Sequence, residues 1–146
     1  MPIASSTFIQ DVILFLRNYV RTNVNDPLSR ASGFVMTAYP KRSVQYPIIT
    51  VKLTNTKSTK LGISSEVSLM DMDIEVRTWS RNAIESDTLT QNVINTLKNA
   101  QFGTGGTSES EIFNFKLNSV NPIVESDGIN TIHSKVCNFT YKTIIT

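Results

Sequence analysis

The sequence predicts an α+β domain: a mainly antiparallel twisted sheet with an N-terminal helix and a second helix after a long central strand. Three observations predict it. Residues from Met70 to Thr78 alternate, with Met70, Met72, Ile74 and Val76 on one side and Asp71, Asp73, Glu75 and Arg77 on the other. That period of two belongs to a strand with one buried face. Leu89, Val93, Leu97 and Ala100 then recur at helical spacing. Helical segments are too few, relative to strand segments, for a parallel sheet.

Taken in order, Thr7 and Gln10 have the spacing of a capping box. Ile9, Val12, Ile13, Leu16, Tyr19 and Val20 form one stripe, which predicts an amphipathic helix to about Arg21. Leu14 and Phe15 fall off the stripe. They either widen the core face, which the usual breadth of such faces favours, or meet a neighbouring subunit. Asn25-Asp26-Pro27 marks a polar loop. Phe34 to Ala38 is a short strand candidate, and Lys41-Arg42 an exposed turn. Tyr46 to Leu53 reads as a second strand, with Pro47 at its first residue, where a missing donor does little harm. Residues Asn55 to Lys60 hold nothing to bury, so a flexible loop is expected over about 55–65, in a single domain spanning 1–146.

The central strand follows. Val67 and Leu69 break its parity, which predicts a bulge near Leu69. Fully extended, Glu66 to Trp79 would span roughly 45 Å, against a diameter of about 38 Å for a compact domain of this size. The strand must bend or project, and a projecting strand invites a partner. Ser80 and Asn82 are capping residues for the second helix. Phe102 to Thr107 is a loop by composition. Ile112 to Val120 is the next strand, its end disturbed by Asn121-Pro122. Ser126-Asp127-Gly128 is a turn, and Ile132 to Ile144 the last strand, with Cys137, Phe139 and Tyr141 on one face.

Composition sets further bounds. With 146 residues the chain can bury a real core. A net charge of +2 writes no strong attraction to polyanions, and charged residues at 18% fall below the usual quarter, as suits either surfaces that meet other protein surfaces or a bias of genome composition. One cysteine rules out an internal disulfide and leaves the redox compartment open. The first residues lack a signal pattern and no apolar run reaches membrane length, so neither a leader nor a membrane span is expected.

Chemistry finds few footholds. His133 reads as a partly exposed strand residue, and Cys137, between aromatic neighbours at alternate positions, as a small buried hydrophobe. A Cys137–His133 pair requires the two to share a strand face. Gly103 to Gly106 lacks the Gly-Lys-Ser/Thr ending of a phosphate loop. Asp71 and Asp73 could take a divalent cation, but two side chains are too few for a calcium cage. The basic residues are scattered and no aromatic residues interleave with them, which argues against a nucleic-acid platform.

The order of elements resembles the tail terminator (tail-completion, minor neck) proteins of long-tailed bacteriophages. The N-terminal amphipathic helix carries the resemblance. So do Tyr46-Pro47-Ile48-Ile49-Thr50-Val51 and a long strand that ends Ile74-Glu75-Val76-Arg77-Thr78-Trp79-Ser80 and runs into a helix. Tyr46, Pro47, Trp79 and Ser80 are the family-like positions. The resemblance implies a non-enzymatic homohexameric ring without cofactor or metal. It would cap the tail tube and join it to the head connector, and DNA would pass through without specific binding. It would contact the tail-tube protein and a head connector or completion protein but no membrane, and belong to the virion neck, assembled in the host cytoplasm. The runner-up is a head-completion or tail-tube subunit, and after it a small metal enzyme using Asp71 and Asp73. On the ring reading, Asp71, Asp73 and Glu75 would face the channel as a negative annulus. The alternatives are pairing across a subunit interface or facing bulk solvent. Asn55, Lys57 and Lys60 would form a flexible assembly loop ordered by a neighbour.

Overall fold

The computed structural model describes residues 7–39, 45–63, 67–100, 112–127 and 130–145. Its elements are α1 (Phe8–Asn23), β1 (Val35–Met36), β2 (Ile48–Lys60), β3 (Ser68–Ser80), α2 (Ala83–Asn99), β4 (Ile112–Asp127) and β5 (Asn130–Ile145). The strands form one sheet in the order β1-β2-β3-β5-β4. β1 pairs with β2 in parallel, and all other pairs are antiparallel. This is an α+β fold with one layer of helices. The expected Lys41-Arg42 turn and the Phe102 to Thr107 loop lie outside the described residues.

β3 is the centre of the sheet, and its alternation decides which side the helices take. Met70, Met72, Ile74 and Val76 are all buried. Opposite them across β5 stand Thr143, Tyr141, Phe139 and Cys137, and Val51 and Leu53 of β2 continue the same face. Helix α2 lays Leu89, Val93 and Leu97 onto this surface, and α1 adds Val12, Phe15, Leu16 and Val20. Each of these large side chains contributes about 1.5–3 kcal/mol on leaving water. Polar ties fix the helices to the sheet. The Tyr141 hydroxyl donates to the Leu97 carbonyl at 2.6 Å, and Thr78 and Thr90 share a buried hydroxyl bond at 3.0 Å. Asn82 caps α2, its side-chain oxygen accepting from the Glu85 N–H at 2.8 Å.

Several expectations are corrected. The stretch Asn55 to Lys60 is strand, not loop: β2 continues to Lys60 and pairs with β3 through Lys60↔Ser68. Backbone bonding to β3 needs no apolar alternation, which is why composition misled. The register shift falls between Leu53 and Asn55 of β2, while β3 pairs with β5 unbroken from Ser68 to Ser80. Thr7 forms no side-chain cap; its hydroxyl donates to Asp11 at 2.8 Å instead. The buried stripe of α1 is rotated toward Phe15, and Ile9 is 54% exposed. Ser80 does not cap α2, because it is still in β3. Pro122 does not end its strand: β4 runs on to Asp127, which pairs with Asn130. β4 is an edge strand, so the donor that proline lacks is not needed on its outer side.

Candidate functional site

Because both described helices lie on one side, no helix among the described residues covers the opposite face of the sheet. The sequence builds this face from the other parity of each strand. β3 supplies Asp71, Asp73, Glu75, Arg77 and Trp79. Their neighbours on β2 are Lys57, Asn55, Lys52, Thr50 and Ile48, and on β5 Lys142, Thr140, Asn138, Val136 and Ser134. Cross-strand neighbours stand close enough to interact, so the pattern compensates itself. The Lys142 ammonium lies 3.3 Å from Asp71. Asp73 accepts from Asn55 at 3.3 Å and from Thr140 at 3.2 Å. Glu75 stands between Lys52 and Asn138.

The three predicted carboxylates are therefore brought together in one row on β3. The row is not bare: lysines flank it on both neighbouring strands. Of the residues predicted as a loop, Asn55 and Lys57 belong to this row's surroundings, whereas Lys60, opposite Ser68, has the parity of the other face. Among the described residues no three His, Cys, Asp or Glu side chains are grouped to hold a metal ion.

At the other end of the face the strands become aromatic. Trp79 packs with Ile48 and Ile132 in a second small core, with Tyr46 and Met36 against it. Tyr39 packs against Trp79 with ring centres 4.7 Å apart and planes tilted by 56°, and its hydroxyl meets that of Tyr46 at 2.5 Å. The Arg77 guanidinium lies 3.9 Å above the Trp79 ring and pairs with Glu125 of β4. Pro47 is buried, and its carbonyl accepts from Arg30, which also binds Asp26 at 3.0 Å. Burial works against ionising Asp26, but bonds from the Arg30 side chain and the Leu28 and Arg30 amides outweigh it and lower its pKa. Three of the family-like positions, Tyr46, Pro47 and Trp79, thus meet at this end. Ser80 turns to the helix side instead, where it is buried and its hydroxyl has no partner among the described residues. The Arg77–Glu125 pair and the Tyr39–Trp79 contact were not foreseen. They join residues 48 and 40 positions apart, and no local pattern announces such contacts.

His133 and Cys137 do share the helix-facing side of β5, but four residues of strand, about 13 Å, separate them. Burial pushes the Cys137 thiol up to about 11, with Lys135 opposing weakly. Burial likewise holds the Tyr141 phenol well above its ordinary value. Neither group is poised for nucleophilic work at neutral pH.

No protein-family model matches the chain, and no curated protein matches it. Among the described residues no helix is long and apolar enough to cross a membrane.

Proposed function

We propose that this chain is a structural virion protein. It forms a homohexameric ring that caps a phage tail tube, joins it to the head connector, and leaves a channel for DNA. The observation that carries this is the outer half of β2. From Thr54 to Lys60 it is ordered along β3 yet nearly all exposed, with no strand on its outer side among the described residues. Ordering a residue costs about 1–2 kcal/mol of backbone entropy. A monomer gains little burial from this arm, whereas a subunit gains an interface. The resemblance in element order and the Tyr46-Pro47 and Trp79-Ser80 positions point the same way.

The uncovered face suits a channel wall. In the row itself Asp71, Asp73 and Glu75 stand against Lys52, Lys57 and Lys142, and on the same face Arg77 pairs with Glu125 while Lys116 lies opposite Thr140. With carboxylates interleaved among its cations, such a wall offers no bare cluster of lysines to gain phosphate contacts and counterion release, so it would let a duplex slide. On this reading the work is mechanical and needs neither cofactor nor metal. The protein would reside in the virion neck after assembly in the host cytoplasm.

The test is electron microscopy of the purified chain, alone and mixed with polymerised tail-tube protein from the same genome. Rings and tubes capped at one end are expected. Unlimited stacking into tubes would support a tube subunit instead, and a monomer that ignores tube ends would overturn the proposal.

A further inference from the structure

Two exposed apolar features lie at opposite ends of β3. At one end the β2–β3 tip presents Leu61, 50% exposed, and Ile63, 100% exposed, flanking Gly62. The tip is held by the Leu61 N–H donating to the Val67 carbonyl at 3.1 Å. At the other end, twelve residues or about 40 Å away, the start of α2 and the β4–β5 hairpin enclose a groove of about 230 Å³. Ala83, Pro122, Ile123 and Val124 give it apolar walls, and Ser86 and Lys135 belong to its lining. Val124 is 65% exposed, and Ile84 beside the groove is 80% exposed.

The groove also holds a polar group in want of a partner. Ser86 is 2% exposed, and its hydroxyl has no hydrogen bond among the described residues. Buried polar groups are nearly always paired, so an unpaired one at the floor of an apolar groove points to an incoming donor or acceptor. A hydroxyl rotates at little cost and serves as either.

We infer that the tip Leu61-Gly62-Ile63 of one subunit docks in the α2–hairpin groove of a second copy of this chain. The inference rests on the ring reading and names its contact. The tip matches the groove in chemistry. Its two aliphatic side chains fit the Pro122–Val124 wall, and Gly62, with no side chain, lets its peptide groups approach Ser86. Lys60, exposed at the base of the tip, meets the one exposed acid of the rim, Asp87, which already draws Lys135. Tip and groove lie too far apart to meet within one subunit. A contact between different patches is heterologous, and such contacts propagate until a rotation closes them into a ring.

Strand-to-strand addition is the competing way to join subunits, and the edges oppose it. β4 carries Pro122 and two register irregularities, and the open edge of β2 carries Lys52, Lys57 and Lys60. These are devices that discourage edge pairing.

The experiment mixes two full-length variants, Ile63→Cys and Val124→Cys, under mild oxidation, with buried Cys137 retained. Light scattering of the unmodified chain runs alongside. The expected result is a disulfide-linked dimer that requires both variants, with Ile63→Asp melting like the parent but losing the oligomer. A discrete oligomer with no mixed cross-link, or an Ile63→Asp protein that still assembles, would overturn this contact and leave the ring reading standing. A single-chain mass with no cross-link would overturn both.

Discussion

The two faces of β3 are built from adjacent residues and behave as different materials. On the helix side, Met72, Ile74 and Val76 are excluded from water and packed against α2 and β5. On the uncovered side, Asp71, Asp73 and Glu75 stay half-exposed and, among the described residues, face cross-strand partners. One face holds the domain together, and the other is free of that constraint. A residue's contribution to stability should therefore depend on its parity along β3 far more than on its place along the strand.

The largest effect should come from moving a charge to the wrong parity. Ile74→Asp buries a carboxylate with no partner, which a marginally stable domain cannot absorb. No cooperative thermal unfolding should remain by circular dichroism. A soluble Ile74→Asp protein that melts cooperatively would break the distinction between the faces.

On the uncovered side, Arg77→Ala should be the most costly change. It removes the guanidinium over Trp79 and the Glu125 pair, for a loss of about 1–2 kcal/mol in denaturant titration. Lys142→Ala, which leaves Asp71 without its 3.3 Å partner, should cost under about 1 kcal/mol. That smaller loss should shrink further in high salt, because the pair is partly exposed. An Arg77→Ala loss as small as that of Lys142→Ala would show that the aromatic end is no more cohesive than the charged row.

The parity of β3 and the stripe of α2 were legible because each is a local period set by one buried face. Tyr141, Phe139 and Cys137 were legible for the same reason. The outer half of β2 was not. Thr54 to Lys60 has no apolar side chain, and its pairing with Ser68 to Asp73 is a backbone property that leaves no mark on composition. The phase of α1 was off by part of a turn. Ile9 and Phe15 are both apolar, and only the packing of the helix against α2, β1 and β2 decides which is buried. The groove floored by Ser86 joins the start of α2 to Pro122–Val124, and the sequence offered only a run of apolar residues beside a proline as its trace.

The smallest effect on stability at neutral pH, and the sharpest on reactivity, concerns neighbours on β5. Cys137 faces the core with its thiol raised to about 11, so a thiol reagent should label it only on unfolding. A cysteine placed by Asn138→Cys should react at once in the native protein. The unfolded Cys137 thiol ionises near 9.0, so its contribution to stability is complete below that pH. It is lost as pH rises from 9.0 through about 11. Native labelling of Cys137 as fast as the cysteine introduced by Asn138→Cys would erase the difference between the faces.

The central claim, that the exposed arm and the uncovered face exist for assembly, is tested most directly by native mass spectrometry of the purified full chain across a concentration series. A discrete species at six times the chain mass, without a ladder of larger polymers, is the predicted result. A single-chain mass at every concentration would contradict it.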